Sequence, residues 1–379
     1  MSSIAEQLTR INAAKESLSG VLVENGITPP ATFEEYADAA SGINRDFRDA
    51  FVGRVNGTLT EVDETLLGGA TKLADYAFAG CTSLSAFSGE TITGAVGNNA
   101  FYGCKNLEEL YLPNAISVGK YAFRDCSKIG PILELPNVKT IDEYAFSYAT
   151  GLRDISFPKA ETIGSNAFNT VVALSAVSFP VATTIGTRAF DSKTQLRDIS
   201  FPSATSVMAN AFDGCTNLSA VSLPSVASIQ AYVFKNCKSL STVSLPTITM
   251  GAYAFQDCTG LSSLSLPNLT ALLSCALQGC TALSSLEIPA CQTLTTPFRT
   301  SYSATAKLSN LVSLSLPSIT TISARAFGAT ATQQYTGIVD LYFPNKTVAQ
   351  VKAMSNYSTW HCGSGCTIHA SDGSFLYGS

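Results

Sequence analysis

The chain has 379 residues, a net charge of −5, and only 13% charged against 46% hydrophobic residues. This balance, with a pI near 5.2, argues against a nucleic-acid partner, which needs a dense Lys/Arg footprint. No apolar run reaches the roughly 18 residues of a membrane span, so no membrane insertion is expected.

The first twenty residues carry Glu6, Arg10, Lys15 and Glu16 without a continuous apolar segment. No secretory signal is expected, and the protein should be released into the cytoplasm where it is made. Residues 3–22 read as an amphipathic helix, with Ser3 as cap and Glu6 completing a capping box. Ile4, Leu8, Ile11, Leu18 and Leu22 fall at heptad-like spacings. They are candidates for homo-oligomerisation through a short coiled coil. The same stripe also suits packing against the next helix or against the solenoid end. Asn25-Gly26 and Pro29-Pro30 break the helix. A second short helix follows, with Thr32 as cap and Phe33, Tyr36, Ala40 and Ile43 on its apolar face. Residues 1–46 thus form a helical attachment or oligomerisation segment.

Phe51–Val55, Asn56-Gly57 and Thr58–Val62 read as a β-hairpin with a type I′ turn. It caps the segment that follows. From about residue 66 a motif recurs roughly every 22 residues. Its phenylalanine mark falls at Phe78, Phe101, Phe123, Phe146, Phe168, Phe190, Phe212, Phe234 and Phe255, continued by Leu277, Phe298 and Phe327. A proline mark runs in step from Pro113 to Pro344. A fixed period of this length means a solenoid, in which each coil buries its apolar face against its neighbours. Residues 47–345 are therefore a β-rich solenoid of about 12 coils, cap included. In each coil Leu-x-x-Val-x-Leu-Pro alternates apolar and polar residues, as a strand buried on one face must. The proline follows the strand, where its missing N–H breaks no ladder.

Cys81, Cys104, Cys126, Cys215, Cys237, Cys258 and Cys280 all sit three residues after the phenylalanine mark. They read as small buried hydrophobes, and an odd total of 11 weighs against a disulfide framework. Extra residues around Ser301–Lys307 and Gly328–Thr336 should protrude as loops. Residues 346–379 form a compact C-terminal cap, with a short helix over Thr347–Asn356.

Chemistry is scarce. His361, Cys362, Cys366 and His369 interleave too tightly for the usual zinc arrangement. No metal or other cofactor is therefore assigned, although a local Cys362–Cys366 bridge remains open. No histidine lies within the repeats, which nearly excludes a Ser-His-Asp constellation there. Phosphate-binding glycine loops are also missing from the sequence. No enzyme is expected. The outward position of the first strand reads Tyr111, Ser156, Ser178, Ser200, Ser222, Ser244, Ser265, Glu287, Ser315 and Tyr342. Tyr111, the serines from Ser156 to Ser265 and Tyr342 are candidate ligand-binding residues, since hydroxyls flanked by aromatics suit a saccharide or protein. The plainer reading is a small residue that stacks tightly and keeps the surface wet.

The coil pattern L-x-x-[VIL]-x-[LF]-P…[AV]-F-x-x-C-x-x-L closely resembles the BspA-like leucine-rich repeats over roughly residues 66–344. The resemblance implies a right-handed β-rich solenoid with little helix, and binding or adhesion in place of catalysis. Members are often bacterial surface proteins with an export signal and an anchor. Ile4–Ile43 and Thr367–Gly373 resemble segments of phage or prophage tail-associated proteins. Together these imply a virion host-recognition adhesin, with a host cell-surface protein or glycan and other tail proteins as partners. The alternatives are a bacterial cell-surface adhesin and a purely structural virion spacer or decoration protein.

Overall fold

The computed structural model describes residues 59–247, 249–298, 308–328, 337–362 and 365–377. The helix carrying Ile4, Leu8, Ile11, Leu18 and Leu22, the second helix, and the hairpin up to Thr58 lie outside the described residues. So do residues 301–307 and 329–336 of the two insertions.

Each coil contributes a three-residue strand and then a two-residue strand, and each strand pairs in parallel with its counterpart in neighbouring coils. Among the described residues eleven coils carry both strands, one fewer than the period suggested. The difference lies at the ends. Glu61–Val62, expected as one arm of a capping hairpin, pairs in parallel with Ala86–Ser88. Val62 stands opposite Phe87 in the core, so this strand is the first rung among the described residues. Asp63 then caps the helical turn Glu64–Leu67, which Gly68 closes in a left-handed conformation at φ 57°.

The chain forms two compact units, divided between Ala182 and Thr183. In the first, Glu61–Val62, Ala86–Ser88 and Glu109–Tyr111 make one sheet, and Ile132–Glu134, Asp154–Ser156 and Ala176–Ser178 another. The short strands Ala95–Val96, Ser117–Val118, Thr140–Ile141 and Thr162–Ile163 make a second ladder. The second unit repeats the plan, with Asp198–Ser200, Ala220–Ser222 and Thr242–Ser244 as its first three long rungs.

A further ladder runs along the turn segment, where sequence patterning had suggested only a turn. The Phe101 N–H donates to the Ala122 carbonyl at 2.7 Å, Phe123 to Ala145 at 2.8 Å, and Phe146 to Ala167 at 2.8 Å. Phe212, Phe234 and Phe255 do the same in the second unit. This geometry requires left-handed residues on either side of the phenylalanine, as at Tyr121 (φ 57°) and Asp125 (φ 61°). Glycine takes the later of these places at Gly80, Gly103, Gly214 and Gly279, where no Cβ penalty applies. Elsewhere a non-glycine side chain is held there because the ladder fixes the backbone on both sides.

The phenylalanines stack as expected. In the first unit Phe101–Phe123, Phe123–Phe146 and Phe146–Phe168 ring centroids are 5.0, 5.2 and 5.5 Å apart and nearly parallel. Phe190–Phe212 and Phe212–Phe234 in the second lie 5.4 and 5.7 Å apart. The cysteine column is buried, as the spacing implied, and it is also polar. Cys126 Sγ donates to the Phe101 carbonyl at 3.1 Å, and Cys237 and Cys258 donate to Phe212 and Phe234 at 3.2 and 3.0 Å. The thiol supplies a second partner for the carbonyl of the phenylalanine mark one coil earlier. Burial pushes the Cys215 thiol up to about 12 and raises those of Cys237 and Cys258 well above the usual range. All eleven cysteines are thiols, and no disulfide joins any of them.

Candidate functional site

Within each sheet the parallel register carries an outward residue directly over its counterpart. In the first unit Ser88 faces Tyr111, and Glu134, Ser156 and Ser178 follow one another in the neighbouring sheet. Glu134 therefore interrupts the predicted row with a carboxylate between Tyr111 and Ser156, a coil that the sequence reading passed over. In the second unit Ser200, Ser222 and Ser244 stand in line, and Ser265 donates its hydroxyl to Glu287 at 2.9 Å. Ser315 is level with Tyr342. Tyr111, Ser178, Ser200, Ser244, Ser265 and Tyr342 are exposed, while Ser156 and Ser222 are half-buried. The row is solvent-facing within each unit, as alternation required.

At the C-terminal end the repeat gives way to a built stop. The short helix expected over Thr347–Asn356 is confined to Val348–Lys352, opened by a capping box between Thr347 and Gln350. Trp360 is fully buried, 6.0 Å from Phe343 and 5.1 Å from Tyr357 between ring centroids. Its carbonyl accepts the Phe327 N–H at 3.0 Å, and that of Thr359 accepts the Arg325 N–H at 2.6 Å. The cap thus supplies the acceptors that a further coil would have offered to the turn ladder. Thr367–Ala370 extends the long-strand ladder in parallel to Asp340–Phe343, and Gly373–Leu376 then folds back antiparallel.

That pairing places His369 between two partners, with Nε2 2.7 Å from Asp340 Oδ1 and Nδ1 2.9 Å from Ser374 Oγ. Its ring lies flat on Tyr342 at 4.3 Å. Ser374, His369 and Asp340 come together from three strands, which linear spacing does not reveal; the strand register is the only signal that could have found them. Their hydrogen bonds fasten the terminal hairpin to the last repeat strand. His361 Nδ1 instead lies 3.2 Å from the Gly328 carbonyl, and its N–H reaches the Tyr377 hydroxyl at 3.2 Å. The Cys366 thiol contact, followed by burial, raises the Cys362 thiol. Among the described residues no group of three or more His, Cys, Asp or Glu is placed to hold a metal.

The turn face was missed as a candidate surface. The position two before the phenylalanine mark carries Tyr76, Tyr121, Tyr144, Tyr232 and Tyr253, all with positive φ. Tyr121 stacks on Tyr144 at 5.2 Å, and Tyr232 on Tyr253 at 4.7 Å. Their recurrence at one repeat position was visible in the sequence; their stacking depends on the turn ladder, which was not.

Profile comparison decides the family. The description BspA type Leucine rich repeat region (6 copies) matches residues 63–171, 161–250, 183–299 and 227–345. The chain belongs to the BspA-type leucine-rich repeat family. BspA-type repeats are characteristically binding scaffolds, and no catalytic family is indicated for this chain. A leucine-rich repeat protein from Bacteroides ovatus is similar in fold, with a TM-score of 0.52 and 18% identity over 79% of this chain and 87% of its own. A leucine rich cell surface protein from Faecalibacterium prausnitzii aligns with a TM-score of 0.42 and 23% identity, over 76% of this chain and 86% of its own. No curated protein matches the BspA-type chain in sequence. Among the described residues no helix is long and apolar enough to cross a membrane.

Proposed function

We propose that this chain is a non-enzymatic adhesin whose solenoid surface binds a host cell-surface protein or glycan. The observation that carries the reading is the register-locked series of exposed strand residues, including Ser200, Ser222 and Ser244, on a scaffold whose apolar residues fill the core. A rigid ladder presents such groups at fixed spacing, about 4.8 Å from rung to rung, and their order costs little on binding. Tyr111, Ser156, Ser178, Ser200, Ser222, Ser244, Ser265 and Tyr342 are the residues proposed to face the ligand.

The family match favours a bacterial cell-surface adhesin. A second reading places the chain in a phage or prophage tail, supported by the resemblance of Ile4–Ile43 and Thr367–Gly373 to tail-associated segments. There the first 46 residues would join other virion tail proteins or further copies of the chain.

Binding of the purified full chain to bacterial cells and to cell-wall glycan tests the adhesin reading. Saturable binding, reduced by Ser200→Arg and Ser222→Arg in a protein of unchanged thermal stability, is expected. Absence of saturable binding to any cell or glycan would overturn it in favour of a structural spacer. Tail, portal and lysis genes beside the coding sequence would favour the virion reading; surface-protein genes would favour the other.

A further inference from the structure

The geometry points to a binding site for an acidic saccharide at Arg124, on the turn face of the first unit. The inference rests on the reading of the chain as a binding scaffold, and adds a second place, on the turn face and apart from the outward strand row, with a ligand class for it. The Arg124 guanidinium carbon lies 5.5 Å from the Tyr121 and Tyr148 ring centroids and 5.9 Å from that of Tyr102. Tyr121 is backed in turn by Tyr144. Three aromatic rings therefore fix the cation in place, while a third of the arginine side chain stays open to solvent at 33% exposure. Tyr102 and Tyr148 are open at its sides, at 39% and 44%.

The guanidinium is held chiefly by rings, with the Asp125 carboxylate as a loose ion-pair partner. Its Nε is buried without a hydrogen-bond partner. The nearest described carboxylate, Asp125, is 3.7 Å from Nε, beyond hydrogen-bond reach. One coil on, at the equivalent place, Ser147 is fully buried and its hydroxyl also has no partner. Ser147 is joined to the site through its carbonyl, which accepts the Asp125 N–H at 2.9 Å. Among the described residues Arg124 Nε and Ser147 Oγ are the two buried side-chain polar atoms with no hydrogen-bond partner, and they fall on adjacent coils. Of the nearby lysines, Lys128 is bonded to Glu108 at 2.9 Å, while Lys120 lies 3.7 Å from Glu143, as far as Arg124 lies from Asp125. Arg124 thus has donors to spare beyond its loose ion pair with Asp125.

A planar fork of N–H donors suits a carboxylate or a phosphate, the anions whose paired oxygens match it. Flanking phenol rings offer flat apolar faces with polar tips, which match the C–H face and hydroxyl rim of a pyranose. A peptide added as an extra strand is disfavoured, because the backbone along this face is already committed. The Phe101, Gly103, Phe123 and Asp125 N–H groups all donate to the following coil. An acidic sugar needs no backbone edge.

Titration of the full chain with sialyllactose and trigalacturonate, against lactose, maltotriose, tetraglutamate and inorganic phosphate, tests the proposal. At least one acidic saccharide should bind roughly 10-fold more tightly than the neutral ones at about 0.15 M salt. Arg124→Gln should abolish that preference, and Tyr148→Ala should weaken acidic and neutral sugars alike, with thermal unfolding confirming an intact fold. Equal binding of acidic and neutral sugars, no binding of any sugar, or an unchanged preference in Arg124→Gln would overturn it. Tetraglutamate or phosphate binding as tightly as the acidic sugars would reassign the site to a peptide or a bare anion. Failure of the acidic-sugar titrations while cell binding persists would remove this site and leave the adhesin reading standing.

Discussion

Lys193 occupies the place that cysteine holds in most coils, and it is fully buried. Its ammonium donates to the Asp191 carbonyl, yet burial lowers its pKa from 10.5 to about 8. The folded state therefore binds fewer protons than the unfolded chain between those values. Stability rises with pH across that interval: the penalty is complete below about pH 8 and disappears above the ordinary lysine range. A shift of that size corresponds to roughly 3 kcal/mol. Lys193→Met, similar in volume, should stabilise the protein by about 2–3 kcal/mol at neutral pH. Urea unfolding at pH 7 and pH 10 measures it, and an advantage that does not shrink at the higher pH would contradict the assignment. Thr170 carries a different strain, a β-branched side chain at φ 60°. Thr170→Gly should raise stability by about 1 kcal/mol by the same assay, whereas a loss would mean that its side chain contributes more than its backbone costs.

At the scale of the element, the stacked phenylalanine is the unit of cohesion. Phe212 lies 5.4 Å from Phe190 and 5.7 Å from Phe234. Phe212→Ala should cost about 3–5 kcal/mol in chemical unfolding; a cost below about 1 kcal/mol would show that the coils on either side close over the gap. This layer was legible in the sequence. Phe212, Leu218, Val221, Leu223 and Cys215 recur with their counterparts at one spacing, and spacing alone puts them inside. The turn ladder was not legible, because backbone donors leave no trace in residue type; its one sequence sign is the Gly80, Gly103, Gly214 and Gly279 column. The Ser374–His369–Asp340 contacts were hidden for a related reason. Their partners are set by strand pairing across 29 residues between Asp340 and His369. Of the outward row, the alternation correctly gave direction, but Glu134 escaped notice because its coil, from Phe123 to Phe146, is one residue longer than the next and so breaks the Leu-x-x-Val spacing.

For the whole molecule, the two ends are expected to do different things. If Ile4, Leu8, Ile11, Leu18 and Leu22 form a seam between copies, deleting residues 1–44 should reduce the particle mass in light scattering to that of one chain. An unchanged mass would place oligomerisation elsewhere or show that there is none. The rest of the described chain should keep its fold in that variant, because Glu61–Val62, outside the deletion, pairs with Ala86–Ser88.

The opposite end carries a consequence for assembly. Trp360 and the hairpin of Thr367–Ala370 with Gly373–Leu376 use up the donors and strand edge that the last coil would otherwise present. Without them, Asp340–Phe343 becomes an unprotected template, as ready to pair with a foreign strand as with its own. A chain cut after residue 345 should polymerise, seeding fibres end to end instead of remaining dispersed. The C-terminal cap is, in this sense, a terminator of growth: it makes a repeat that could be copied indefinitely into a particle of one fixed length.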